Sequence, residues 1–476
     1  MFRLITVFWA FIFIGVLLLL GRIVRQRWAL MRSLYMPSSV IAGVLGLILG
    51  PSVLGAIASQ IAPDSGLANG LFAEDIREVW KQSPSIFINI VFACLFLGEI
   101  IPTPRDIWQK ASPQVAFGQI LAWGQYVVGL LLVLLVLSPL FGMDAIAGTL
   151  IEITFEGGHG TAAGMAETFK ELGFAAGADM ALGLATVGLV SGVVFGVTLI
   201  NWARRTGRLQ VKPLLNWEEQ EKADPHPQDD PETRARRQQL LRDLLIDPLS
   251  LNFCFVGLAI IVGWVILEAL RLLERVTWGQ TSLTLMPYVP LFPLALIGGI
   301  IVQLILTRWR KQYLISRPLI NHIGGVALDV TIVTALATLS LAAIGENLIP
   351  FILLSLGGIA WNLFVMLYLA PRIFPTFWFE RGIGDMGQSM GVTSTGLLLI
   401  RMVDPHNQSG ALESFAYKQI LFEPIVGGGL FTAAAPILIR NFGVVPVLAL
   451  TGGLLGLWLV FGLWNCRHIR RSLLQN

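Results

Sequence analysis

The sequence predicts an all-α polytopic membrane protein: two inverted five-helix repeats, each with a re-entrant hairpin, plus one extra C-terminal transmembrane helix. Three observations predict it: an apolar composition, basic residues that alternate with the apolar runs, and two glycine- and threonine-rich segments at matching points of two halves. Of 476 residues, 55% are hydrophobic and 13% are charged, against roughly 25% charged in a soluble globular protein. The net charge of +3 is small and the basic residues cluster in loops, which argues against a nucleic-acid partner. Cys94, Cys254 and Cys466 lie in or at the end of apolar runs without CxxC or metal spacing, so neither disulfides nor structural zinc are expected.

A bilayer core of about 30 Å needs about 20 apolar helical residues. On that measure spans fall near 4–24, 38–60, 85–101, 113–140 and 177–202, then near 249–270, 283–306, 323–345, 349–371, 414–439 and 444–465. The first run, "MFRLITVFWAFIFIGVLLLLGRIV", is long and has no small-residue cleavage site after it, so it is read as a span and not a signal peptide. Four units result: a first repeat at 1–203 with a re-entrant segment at about 144–170, and a charged linker at 204–248. A second repeat at 249–440 follows, with a re-entrant segment at about 377–405, and then the extra helix and basic tail at 441–476. The linker is rich in Pro, Asp, Glu, Gln and Arg and is read as solvated.

Cytoplasmic loops carry the excess of Lys and Arg. With the N-terminus outside, Arg22, Arg25, Arg27, Arg32, Arg105, Lys110, the linker, Arg308, Arg310, Lys311, Arg317 and the tail residues Arg467, Arg470 and Arg471 all fall inside. Asp64, Glu74, Asp75 and Glu78 fall outside. A multi-pass protein of the cell (inner) membrane is expected, with the linker and the C-terminus cytoplasmic. If "EGGHGT" were part of a full span, every later loop would change sides and the pattern would fail, so this segment enters and returns on one face.

The halves also resemble each other. "FLGEIIP" (96–102) is echoed by "AIGENLIP" (343–350), and each half places a glycine-rich segment after its fourth span: "FEGGHGTAAGMAETF" (155–169) and "GIGDMGQSMGVTSTGLLLIRMVDP" (382–405). Five crossings per half, an odd number, invert the second copy, which is the layout of secondary transporters. Non-helical backbone at membrane depth survives only where protein or a watery cavity satisfies its polar groups. Glycine admits positive φ and close approach, and a half-helix starting there directs N–H groups and a positive dipole end at an anion. Free carbonyls and hydroxyls such as Thr161 are hard oxygen ligands for an alkali cation.

At these residues the chain resembles the glutamate:sodium symporters. "GGHGTAAGMAETF" is similar to their first re-entrant motif and "GDMGQSMGVTST" to their second, typically spaced glycines and then Gly-x-Thr-Pro-Thr. The resemblance covers most of the chain in span order, with close identity confined to the first motif. It implies sodium-coupled uptake of glutamate or a related acidic amino acid, two inverted repeats, a homodimer, and elevator-like alternating access, with sodium as coupling ion and no other cofactor. Matched positions are Gly157, Gly158, His159, Gly160 and Thr161, then Gly384, Gly387, Gly391, Thr393 and Thr395. The chain departs from the family at Ser394, where proline is usual, at Leu399, where asparagine is typical, and at Thr432 and Ala435, where polar or acidic groups are expected.

The candidate substrate-binding residues are therefore Gly157, Gly158, His159, Gly160, Thr161, Gly391, Thr393, Ser394, Thr395 and Arg401. The sodium candidates are Asp329, Thr331, Thr161 and Gly387. Asp329, an ionisable group inside an apolar run, is read as an ion ligand that can share a cation with Thr331 and Thr334, against the alternatives of a surface position or a structural pairing. His159 is either a proton carrier or a neutral donor. Arg401 either meets a substrate carboxylate or snorkels to the headgroups. Glu152 and Glu156, one turn apart on a helix face, are read as sealing or lining the cavity, while Glu99 and Glu423, in or near the membrane, receive no role. No HExxH, nucleophile–base pair or metal set is present, so an enzyme is not expected, and an internal inverted duplication does not suit a channel pore. A sodium- or proton-coupled carrier of a di- or hydroxycarboxylate is the alternative.

Overall fold

The computed structural model describes residues 3–33, 36–61, 65–67, 69–101, 103–211, 247–277, 285–405 and 408–475; most of the expected linker, 212–246, lies outside them. Among the described residues every regular element is helical. In the first half α1 is Leu4–Arg27, α2 Ser38–Ile61, α3 Glu74–Cys94 and α4 Pro104–Leu132, followed by three short helices, α5 (Leu150–Phe155), α6 (Gly158–Gly164) and α7 (Ala166–Glu171), and by α8 (Gly177–Arg205). In the second half α9 is Pro248–Val276, α10 Phe292–Arg308, α11 Arg317–Ala337, α12 Leu341–Glu346, α13 Leu348–Phe364 and α14 Trp378–Val403. Then come α15 (Ala411–Phe422), α16 (Leu430–Phe442) and α17 (Val444–Gln475).

Eight helical stretches among the described residues are long and apolar enough to cross a membrane: 4–27, 38–61, 111–141, 177–205, 248–276, 317–337, 348–373 and 444–469. The other three expected spans differ for local reasons. The helix expected at 85–101 starts earlier, at Glu74, because Glu74 and Asp75 complement the positive end of a helix. It ends at Cys94, ahead of Gly98 at φ +78. The span expected at 283–306 is the 17-residue α10, entered through Pro293 at its first turn. The span expected at 414–439 is two helices, α15 and α16, parted by 423–429. The span expected at 323–345 stops at Ala337, and Ser340 caps α12 by accepting from Ala343 N at 3.3 Å.

The helices close on small residues. A Cβ on Gly263 of α9 would lie 2.6 Å from Ala295 N of α10, so these two backbones touch directly. Trp80 of α3 is fully buried and donates its indole N–H to Ala10 O of α1 at 3.0 Å. The fourth long helix of each half ends in the same way. α4 runs into a π-helical turn, Val133–Leu137, and then a four-residue helix, Ser138–Phe141; α13 runs into a π-helical turn, Val365–Leu369, and then Ala370–Ile373. Pro139 and Pro371 hold equivalent places just after the π turns. Proline has no N–H for the i−4 carbonyl and crowds it, which widens the preceding turn into a π bulge.

Candidate functional site

Three interruptions of helical backbone meet inside the bundle. The first separates α5 from α6 at Gly158, φ +67. The second splits α14 at Gly391 (φ −143, ψ 32) and Val392 (φ 65, ψ 172). The third is 423–429, where Gly427 and Gly428 have φ +71 and +104. Val392, a β-branched residue, occupies a region that is essentially glycine-only, at a cost of about 1–3 kcal/mol that surrounding packing must offset. That packing is visible: a Cβ on Gly158 would overlap Val392 Cγ1. The two arms of α14 fold back on one another, since a Cβ on Gly387 would lie 2.7 Å from Leu399 Cδ1 and 3.1 Å from Gly396 Cα. In a straight helix residues 387 and 396 would be about 14 Å apart.

Side chains tie the three interruptions pairwise. Glu152 of α5, fully buried, joins the first to the third: Oε1 accepts from Gly427 N at 2.7 Å and Thr432 Oγ1 at 2.9 Å, while Oε2 accepts from Tyr126 of α4 at 2.5 Å. Thr393 joins the second to the third by donating to Glu423 Oε1 at 3.2 Å, and Gln419 Nε2 donates to both of them at 2.8 Å. Ser389 joins the first to the second by donating its hydroxyl to Glu156, while its carbonyl accepts from Gln125 Nε2 at 2.7 Å.

Behind the first arm of α14 sits a buried lysine. Lys418 Nζ donates to Gln388 Oε1 at 2.6 Å and Asp385 Oδ1 at 3.2 Å, and lies 4.1 Å from the centre of the Phe422 ring. Gln114 donates to the other Asp385 oxygen at 2.8 Å. Both ions are fully buried, so each replaces the water the other has lost, with the ring face adding attraction. Gly118 of α4 leaves room for the lysine stem: a Cβ there would lie 2.8 Å from Lys418 Cδ.

The structure gathers some of the expected residues and not others. Gly157, Gly158, Thr161, Gly391 and Thr393 lie at the junction. His159 is buried but turned to α8, its Nε2 2.9 Å from Thr186 Oγ1. Gly160 packs on Ile88 and Leu328, and Thr395 donates to Gly391 O at 2.5 Å. Ser394 and Arg401 carry exposed side chains; Arg401 follows the turn by nine residues, about 14 Å of helix, too far along to face it. The sodium candidates do not converge. Asp329 is half-buried and hydrogen-bonds Ser39 of α2, Thr331 and Thr334 donate to Ala327 O and Val330 O of their own helix, and Gly387 serves the contact between the α14 arms. Glu152, Glu156 and Glu423 are part of the junction, and Tyr126, Gln125, Asp385, Ser389 and Lys418 join them without having been singled out in the sequence.

A cavity of about 440 Å³ opens beside the first interruption, lined by Arg77 and Lys81 of α3, Ala163, Asp179, Leu182 and Ser340. Ala163 follows His159 by one helical turn and Leu182 precedes Thr186 by one. The His159–Thr186 hydrogen bond therefore lies one turn beyond these lining residues, next to the Gly158–Val392 contact.

The sodium/glutamate symporter family matches the chain over residues 111–377, a stretch that contains the first glycine-rich segment and ends before the second. A protein of Haemophilus influenzae named as a sodium/glutamate symporter is 25% identical over 348 residues, 71% of this chain and 77% of that protein. No solved structure matches the chain. The family match spans more than half of the sequence, and the chain belongs to the sodium/glutamate symporter family.

Proposed function

We propose that this chain is a secondary active transporter that moves glutamate with sodium by alternating access. The observation that carries the reading is the contact of Gly158 with Val392: two backbone interruptions meeting inside a bundle of membrane-length helices. In a bilayer such backbone is tolerated only around a protein-lined or wet site, and paired broken helices are where secondary transporters bind their cargo. Family membership supplies the solute and the coupling ion.

The matching π turns and prolines at the ends of α4 and α13, each just ahead of an interruption, support two inverted repeats whose broken segments are re-entrant. The folded-back arms of α14 support a hairpin that enters and leaves by one face. In this reading the N-terminus is outside, the 204–248 linker and the tail are cytoplasmic, the protein sits in the inner membrane as a homodimer, and the junction moves as a unit in an elevator-like step. Purified protein in proteoliposomes should accumulate radiolabelled glutamate only under an inward sodium gradient. Uptake that ignores the gradient, or its absence beside vigorous uptake of a small dicarboxylate, would overturn the assignment.

A further inference from the structure

The junction holds more acceptors than donors. Besides Gln419 Oε1, three of its buried side-chain oxygens have no hydrogen-bond partner: Glu156 Oε2, Gln125 Oε1 and Thr161 Oγ1. Their residues are 3%, 0% and 1% exposed. They share neighbours. Glu156 and Gln125 both bind Ser389, one through its hydroxyl and the other through its carbonyl. Glu156 and Thr161 both flank the third interruption: a Cβ on Gly427 would lie 4.0 Å from Glu156 Cβ, and one on Gly428 2.7 Å from Thr161 Oγ1. Apart from the Thr161 hydroxyl, the nearby side-chain donors named above are already engaged. The Ser389 hydroxyl serves Glu156 Oε1, the Gln125 amide nitrogen serves Ser389 O and Asn362 Oδ1, and Lys418 is held by Asp385 and Gln388. A buried carboxylate oxygen left in this state is costly, and a hydrogen-bond donor that carries positive charge relieves it most strongly.

We propose that Glu156, Gln125 and Thr161 form the subsite for the primary ammonium group of the transported solute. An ammonium offers three N–H donors and no acceptor, matching three open acceptors, and Glu156 makes one of the contacts charge-assisted. A solute carboxylate in this place would find the Thr161 hydroxyl as its one donor and face the Glu156 carboxylate and the Gln125 carbonyl, which repel it. The proposal rests on the transporter reading and names which end of the solute faces Glu156.

The test is ligand-induced thermal stabilisation of the purified full-length protein in sodium buffer. The ligands are amino acids, each paired with its deaminated acid, beginning with glutamate and glutarate. Wild type should bind glutamate at least about tenfold more tightly than glutarate, the order of loss for a charged hydrogen bond. In Glu156→Gln that preference should collapse through weaker glutamate binding, with glutarate unchanged, and Thr161→Val should narrow it by a smaller factor. Stabilisation by sodium alone, measured on each variant, certifies that it is folded. Equal binding of glutamate and glutarate by wild type overturns the proposal, as does a Glu156→Gln protein that keeps the preference or loses only its response to sodium. If glutamate fails but another amino acid binds over its deaminated partner and depends on Glu156, the glutamate assignment falls and the ammonium subsite stands. If no amine-bearing solute binds, the subsite falls as well.

Discussion

Val392 sets its Cγ1 in the space that Gly158 leaves by having no side chain, and both residues have positive φ. Two strained turns from opposite halves of the chain therefore hold one another, and neither can gain a side-chain atom without moving the other. Gly158→Ala should lower the initial rate of uptake at least about tenfold, because the new methyl group overlaps Val392 and the left-handed backbone costs a further 1–2 kcal/mol or so. Adding Val392→Gly removes the overlap but not the backbone cost, so the double variant should recover part of the loss. Rates per amount of inserted protein, compared as a double-mutant cycle, check this. A Gly158→Ala protein of normal rate, or a double variant no better than the single one, would show that the contact is incidental.

The Lys418–Asp385 pair predicts an asymmetry in stability. Removing one partner of a buried ion pair leaves an uncompensated charge and costs about 3–5 kcal/mol, whereas replacing both with apolar groups of similar size is far milder. Asp385→Ala should accordingly unfold at much lower temperature in detergent, and Asp385→Ala with Lys418→Met should regain most of the loss. If the double variant is as unstable as the single, Lys418 is held by Gln388 and the aromatic rings and not by the carboxylate.

Much of this was legible in the sequence where the signal is local. Glycine density at 157–164 and 382–391 marks two of the interruptions: Gly158 takes the positive φ of the first, while at the second the positive φ falls on Val392 and Gly387 serves the close approach of the two arms. The third was hidden, since Pro424 and Gly427–Gly429 sit within a run whose average is apolar enough for a span, and a count of hydrophobic residues passes over seven non-helical ones. Lys418 and Asp385 were illegible for a different reason. They lie 33 positions apart, and a lone charge in an apolar stretch does not reveal whether it faces a partner, water or lipid. Asp329 shows the converse: its intramembrane charge invited an ion-binding role, yet helix packing turns it to Ser39 of α2.

The cavity beside α3 makes a prediction about access. Leu182→Cys and Ala163→Cys, each in a Cys254→Ser background, should react with a membrane-impermeant thiol reagent added outside; the other two cysteines are buried. Arg77 and Lys81 at the same cavity should attract an anionic solute. Reversing both to Glu should slow uptake several-fold at low salt, with the difference shrinking as ionic strength rises and the Debye length falls from about 10 Å at 0.1 M to 3 Å at 1 M. Labelling from the cytoplasmic face only, or a salt-independent defect, would remove the cavity from the entry path.

Topology can be checked at the linker, whose basic residues carry the expected orientation. "RRTGRLQVKP" at 204–213 and "RARRQQLLRDLL" at 234–245 hold eight of the basic residues of the chain, and moving such segments outside would violate the charge bias that governs loop placement. Trypsin added to sealed inside-out vesicles should cut the chain once or more in this interval, giving two membrane-embedded fragments that correspond to the two halves. The same protease on intact spheroplasts should leave the chain whole, and cleavage there would invert the topology, placing the cavity lined by Arg77 and Lys81 on the cytoplasmic face.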